Sequence, residues 1–304
     1  MLVAGEINVD LVLRGYSAFP QPGKEVLVED SQLVLGSASA ILAMGLARLG
    51  VPVAFVGKVG DDVWGRFCLE EMASRGIDLS GVVRGARLRT GITVAISSPG
   101  DRALVTHLGA IAALAEPDVG DGALRGCAHL HVSSYFMQES LRPGCRALFA
   151  RAHGLGLTTS LDPGFDPSET WGDDLRRTLE EVDLFLPNEV ELRGLGRHAD
   201  VEECLRRLTS GRTRVVAKLG RDGAATLEDG RLLHVTSLPV EPVDTTGAGD
   251  SFDAGFLRRW LDGAPVRECL RLGVACGALS TRGLGGTASQ PDLAEAEAFL
   301  AAHA

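Results

Sequence analysis

The sequence predicts an α/β fold, with a mostly parallel central sheet, helices on both faces and a small β lid. Three observations predict it. Short β-rich runs alternate with amphipathic helical stretches along almost the whole chain. Two segments break that alternation and show no helical period. A glycine-rich turn late in the chain opens onto a one-sided apolar stripe.

The runs at 2–5 (LVAG), 51–60, 129–134, 156–163, 182–188 and 213–220 read as buried strands. Between them, 37–50, 62–75, 140–153 and 200–210 carry the helical period. Several strands end in polar or glycine-containing turns, at Asn8 and Asp10, Asp61, Asp162, Asn188 and Gly220. Ligands gather at the carboxyl ends of strands in open α/β sheets, so these turns are where a site is expected. The two interruptions, 11–35 and 86–108, each read as a hairpin of alternating residues around a Pro/Gly turn, PQPG and SPGD. Paired with each other, they would form a separate small sheet. A third hairpin, 224–235, turns at Asp229-Gly230.

Composition narrows the function. A net charge of −10 without a block of Lys and Arg removes the electrostatic footprint of nucleic-acid binding. No apolar run approaches the roughly 20 residues of a membrane span. The N-terminus, MLVAGEINVD, lacks a basic start and reads as no signal peptide. The six cysteines, Cys68, Cys127, Cys145, Cys204, Cys269 and Cys276, include no CxxC pair and read as reduced buried thiols. A cytoplasmic location is the expectation.

The turn DTTGAGDSFDAGF, 244–256, carries the chemistry. Phe252, Phe256, Leu257, Trp260 and Leu261 form the stripe of a helix, so Gly247 and Gly249 fall at its N-terminus. Amide N–H groups there lack intrahelical partners, and with the helix dipole they form an anion site that a missing side chain lets a phosphate approach. A carboxylate, Asp250, would repel that phosphate. It makes sense facing an incoming hydroxyl, whose proton it would take; the alternative is an N-cap aspartate in an ordinary loop. In LPNEVEL, 186–192, Asn188 and Glu191 share a face of a starting helix and suit a hydrated Mg2+, or simply a solvated helix start. Neither a GxxxxGK[ST] nor a GxGxxG motif occurs, and no G-x-S-x-G elbow points to a hydrolase. His129 and His131 point to one face of a strand, but no third ligand at helpful spacing makes them a metal site.

Together these segments resemble the ribokinase-like (phosphofructokinase B type) carbohydrate kinase family. DTTGAGDSFDAGF matches its C-terminal signature nearly letter for letter, and residues 35–65 resemble its N-terminal signature. GEINVD (5–10), PNEVE (187–191) and KLGRDGA (218–224) fall in the family's order, so the resemblance covers essentially the whole chain. It implies a three-layer αβα sandwich, one kinase domain over 1–304 with the lid hairpins inserted at about 11–35 and 86–108. It implies ATP-dependent phosphorylation of a hydroxyl, usually the primary alcohol of a sugar or sugar-like compound. By that resemblance Asp250 is the catalytic base, and Gly247, Ala248 and Gly249 supply backbone donors to the phosphoryl group. Asn188 and Glu191 organise Mg2+ and phosphates through water. Lys218, Gly220 and Gly223, with Asn188, lie beside the nucleotide. Asp244 and Thr246 match a position that often holds a monovalent cation such as K+. Asn8 and Asp10, with Gly36 and Ser37, hold substrate. In several relatives the lid sheet pairs across a homodimer.

Departures bear on the substrate. The family commonly has Gly-Gly at 36–37 and Asn near 41, where this chain has Ser37 and Ile41; Gly164 stands where many relatives carry Asn. Arg102, in the lid turn GDRA, is placed to meet an acidic or phosphorylated substrate, or is a solvated turn arginine. Sugars, sugar acids and sugar phosphates remain open, and a nucleoside kinase or a silent sugar- or nucleotide-binding regulator of the same fold is the alternative.

Overall fold

The computed structural model describes residues 1–16, 18–98 and 101–303, and of residues 97, 98, 101 and 102 the backbone alone. In chain order the strands are β1 (Leu2–Ala4), β2 (Asn8–Arg14), β3 (Asp30–Leu35), β4 (Ala54–Gly60), β5 (Asp78–Gly85), β6 (Gly91–Ser98), β7 (Asp101–His107), β8 (His129–Val132), β9 (Thr158–Leu161), β10 (Leu184–Phe185), β11 (Arg214–Lys218), β12 (Ala224–Glu228) and β13 (Arg231–Val235). The helices are α1 (Ala38–Arg48), α2 (Val63–Ala73), α3 (Asp121–Leu124), α4 (Cys145–Gly154), α5 (Asp173–Leu179), α6 (Glu189–Gly196), α7 (Val201–Leu208), α8 (Ala248–Leu261), α9 (Val266–Ser280) and α10 (Leu293–Ala302).

Among the described residues nine strands form the central sheet, in the order β13-β12-β11-β10-β9-β8-β1-β4-β5. The pairings from β11 through β5 are parallel, and the β11–β12 and β12–β13 pairings are antiparallel. Period-two alternation makes the layers. Val3, Phe55, Leu184 and Val216 enter one core with α1, α8 and α9, while Leu2, Val56, Phe185 and Val215 enter the other with α4, α6 and α7. A strand buried on both faces reads as a continuous apolar run, which is why these strands were legible. β5 was not: at an edge, its half-exposed DLSGVVRG alternates too weakly to stand out.

The two pattern-breaking segments do join. β2 pairs antiparallel with β3 and β6 with β7, and β2 pairs parallel with β6, giving a four-stranded sheet β3-β2-β6-β7. PQPG is not a tight hairpin turn, because pairing resumes only at Arg14↔Asp30 and leaves a long connection around Gly23. β2 also begins at Asn8 rather than near residue 11, so the first strand of this small sheet carries Asn8 and Asp10. Part of the expected SPGD turn, residues 99–100, lies outside the described residues. The turn at Asp229-Gly230 forms as expected, with positive φ at both residues.

His129 and His131 are fully buried and shared out among hydroxyls. His129 bonds Thr158 and Ser160, and His131 bonds Ser160 and Ser133, each contact at 2.7 Å. Burial pushes both imidazoles down to about 3, so both are neutral.

Candidate active site

The loops at the carboxyl ends of β1, β8, β9, β10 and β11 converge where the chain order reverses, between β1 and β8. Buried Glu6, just after β1, ties the region together. It accepts from Ser134 Oγ (2.8 Å) after β8 and from the Ser39 amide (3.2 Å) in the first turn of α1.

Gly247 caps α8 with φ +71°, and no side chain caps the helix start. Here glycine is required on two grounds. The conformation is left-handed, and a β-carbon would lie 2.7 Å from Gly286 Cα and 2.9 Å from Ile41 Cγ2. The loop before it is braced by Asp244, whose Oδ1 accepts from Thr246 N (2.9 Å) and Thr246 Oγ1 (2.8 Å) and whose Oδ2 accepts from Gly285 N (2.9 Å). The Asp244 carboxylate thus knits residues 244–246 to the loop after α9. Asp250 sits half-buried in the first turn of α8.

A cavity of about 570 Å³ opens beside that turn. Lys218, Gly220, Gly223, Ala248 and Gly249 line it together with Pro239, Val240 and Pro242, and Gly277 and Ala278 of α9 form its back. Three of the four nucleotide-side residues expected from sequence, Lys218, Gly220 and Gly223, therefore line one cavity with the glycine turn, and Asn188 is not among its lining residues. Gly223, with φ +93°, has no room for a β-carbon, which would fall 2.0 Å from Val235 O. The proline segment 237–242 and the small residues of α9 were missed. The signal was present in LPVEPVD, directly before the signature, and in the Gly277-Ala278 pair.

Asn188 and Glu191 meet each other as a reciprocal cap of α6. Asn188 N donates to Glu191 Oε2 (2.8 Å), Asn188 Nδ2 to Glu191 Oε1 (2.7 Å), and Glu191 N to Asn188 Oδ1 (3.0 Å). The pair is not a solvated helix start, since Glu191 is buried. Burial pushes its carboxyl up to about 8, the negative charge of Asp162 adds to the rise, and Lys218 opposes it.

Lys218 Nζ lies 2.6 Å from Asp162 Oδ2 and 2.9 Å from Asp253 Oδ2, all three buried. Burial alone would lower the Lys218 pKa, but the carboxylates of Asp162 and Asp253 outweigh it and hold the ammonium charged. Burial works against an ionised Asp162 too, and the adjacent ammonium keeps it ionised below the usual range. Asp253 is pushed well above that range by burial. The sequence marked Lys218 for the nucleotide side and Asp162 only as a strand end, and it did not mark Asp253.

On the other side of the turn, Asn8 Nδ2 donates to Asp10 Oδ1 (3.1 Å) and Thr93 Oγ1 (3.0 Å) of β6. Asn8 Oδ1 is buried and meets no donor among the described residues. A β-carbon at Gly36 would fall 2.1 Å from Asp10 Oδ1, so glycine makes room for that carboxylate. Ser37 holds the φ +73° of the glycine it replaces and caps α1, its Oγ accepting from Ala40 N (3.1 Å). Asn8, Asp10, Gly36 and Ser37 thus form one cluster, and Ile41 of the same helix packs on Gly247 and Gly286. Arg102 lies opposite Ser97 by backbone register, and its side chain falls outside the described residues.

A family model described as "pfkB family carbohydrate kinase" matches residues 1–293. An ATP-dependent ribose-1-phosphate kinase of Halopiger xanaduensis is 32% identical, over 99% of this chain and 97% of its own length. A nucleoside kinase of Methanothermobacter thermautotrophicus is 27% identical over 97% of this chain and 94% of its own. Among solved structures, a putative ribokinase II from E. coli in complex with ATP and Mg2+ superposes with a TM-score of 0.87 at 27% identity, covering 99% of each chain.

Proposed function

The chain belongs to the pfkB family of carbohydrate kinases, and from that premise we propose that it moves the γ-phosphoryl group of ATP to a primary alcohol of a sugar or sugar phosphate at residues 247–250. One observation carries the reading. The bare, glycine-capped start of α8 opens onto the 570 Å³ cavity on one side and backs onto Ile41, in the helix that Ser37 caps beside Asp10, on the other. A nucleotide entering along Gly220 and Gly223 brings its terminal phosphate to the amides of Gly247, Ala248 and Gly249. A substrate held by Asn8, Asp10, Gly36 and Ser37 presents its hydroxyl to Asp250. Asp250 takes the alcohol proton as the new O–P bond forms and the bond to the ADP oxygen breaks. Phosphoryl transfer of this kind gains chiefly from positioning and charge neutralisation, which the helix start supplies.

The ATP–Mg2+ complex of the E. coli relative supports Mg2+ here as well. The residues fit it through water: Glu191 is too enclosed to wrap an ion and Asn188 beside it is exposed, while each Glu191 oxygen accepts one bond from Asn188 and keeps a second lone pair. When bound with nucleotide, Mg2+ neutralises phosphate charge. The loops 244–246 and 281–286, which the Asp244 carboxylate braces together, are the place for a monovalent cation such as K+, where the family resemblance puts one beside the anion site. The small sheet acts as the lid over the sugar, and exposed Leu104 and Val105 on its edge strand β7 are the face for a second copy of the chain.

Asp250→Asn tests the reading. It should retain ATP and sugar affinity and lose at least about a hundredfold in kcat, the scale of a lost general base. Turnover near wild type would remove Asp250 from the reaction. The relative named a nucleoside kinase favours a second reading, and a coupled-ADP screen across pentoses, sugar phosphates, keto-deoxy acids and nucleosides separates the two.

A further inference from the structure

The buried cluster of Lys218, Asp162 and Asp253 has no part in the transfer as described, yet it lies directly under it. Lys218 ends β11, Asp162 follows β9 by one residue, and Asp253 lies on α8 three residues after Asp250. Residues three apart share a helix face, so the Asp253 carboxyl and the Asp250 carboxyl belong to adjoining turns of one side of α8. Lys218 lines the nucleotide cavity, and its Nζ lies 3.6 Å from where a β-carbon on Gly249 would stand.

One cation faces two carboxyls in a space closed to water. A second buried negative charge here would sit beside the incoming phosphates. It is avoided if Asp253 keeps its proton, which its burial and the neighbouring ionised Asp162 both favour. Asp253 meets Lys218 through Oδ2 alone, and its Oδ1 is buried without a hydrogen-bond partner among the described residues, so an ionised Asp253 would be poorly satisfied there. The cluster is then neutral as a whole. It links two strand ends and one helix without adding to the field at the phosphoryl group.

We propose that Lys218, Asp162 and Asp253 form a positioning clamp that fixes the first turn of α8, and with it the 247–249 amides and Asp250, against the carboxyl ends of β9 and β11. This rests on reading residues 247–250 as the transfer site. The clamp residues act through α8 and not on the substrate. A shift of the order of 1 Å at such a turn costs about a hundredfold in rate, so a loosened clamp has a kinetic signature.

Asp253→Leu keeps the bulk and removes the clamp. The expected result is a fall of at least about tenfold in kcat, with ADP affinity and sugar KM within about twofold of wild type, because only the placement of transferring atoms is lost. Asp253→Asn, whose amide oxygen can still accept from Lys218 as Oδ2 does, should recover kcat to within about threefold of wild type. If Asp253→Leu does not fold, the pair Lys218→Met with Asp162→Asn removes the clamp without leaving an unpaired charge, and should show the same loss of kcat at saturating ATP. Wild-type kcat in either folded variant overturns the clamp. So does a parallel loss of kcat and ADP affinity in Asp253→Leu, which would mean general loosening. Asp250→Asn run alongside separates the two readings: an inert Asp250→Asn with fully active clamp variants sinks the clamp alone, and an active Asp250→Asn sinks the transfer site.

Discussion

Two helices begin on the same side of the molecule and end their first turns in opposite chemistry. α6 starts at Asn188, whose side chain and that of Glu191 satisfy each other's backbone in a reciprocal cap. α8 starts at Gly247, and no side chain caps it. A helix start leaves several N–H groups without intrahelical partners, and it resolves them with its own side chains or leaves them for something else. α6 satisfies its start with its own side chains and gains stability, which leaves it only water-mediated contact with a cation. α8 gives up that stability, with Ala248 N held only by a 3.3 Å bond to Thr245 O, and offers its start to an anion at a position where Ile41 and Gly286 leave no room for a side chain. The comparison teaches that an uncapped helix start beside a cavity is the informative one.

The sharpest way to break the comparison is to close α8 as α6 is closed. Gly247→Asp supplies a carboxylate cap in a left-handed position that Asp tolerates better than most residues. Turnover should fall by at least about a hundredfold, the usual loss when anion-hole donors are removed. ATP affinity should fall with it, since the added charge faces the phosphate. The β-carbon crowds Gly286 and Ile41, so circular dichroism is needed to establish that the variant is folded. A folded Gly247→Asp protein with ordinary turnover would end the claim that the bare start is the working one.

Both helix starts were legible in the sequence, and their meanings were not equally so. The α8 signal is local: two glycines, a carboxylate and an apolar stripe lie within 244–256. The Asn188/Glu191 spacing was read correctly as one helical face, but a spacing of three serves a cap as well as a cation, and burial decides between them. Asp162 was legible only as a polar strand end and Asp253 not at all, because they meet Lys218 across 56 and 35 residues of chain, a distance no periodicity spans. The strands were legible because a doubly covered sheet writes itself as apolar runs. β5 failed for the converse reason, being an edge strand with half-exposed residues.

Removing the α6 cap should have a smaller effect. Asn188→Ala deletes the side-chain bonds to Glu191 while leaving α8 untouched. Loss of an N-cap costs about 1 kcal/mol, and for a chain this long that lowers Tm by roughly 2–4 °C. Differential scanning calorimetry measures it. A drop in turnover far larger than the drop in stability would instead assign Asn188 to the nucleotide side, and the contrast between the two helices would narrow.

The smallest effect at neutral pH, and the most telling about α6, comes from Glu191→Gln. Glutamine keeps the bond from the Asn188 amide and gives up the acceptor facing Asn188 Nδ2, a loss independent of pH, together with the ability to ionise. The Glu191 carboxyl has an ordinary value of 4.5 and is pushed up to about 8 by burial, with Asp162 adding to the rise. Between those values the folded chain holds a proton that the unfolded chain has released. Stability from this group is therefore fully present below about 4.5, falls as pH rises through 8, and stays low above it. Glu191→Gln has no proton to lose. Relative to wild type its Tm should climb steadily from pH 5 to about 8 and hold that gain toward pH 9, where the wild-type carboxyl is ionised in a closed space. Parallel Tm curves across that range would mean that Glu191 is already ionised at neutral pH, and α6 would then be as open to a cation as α8 is to an anion.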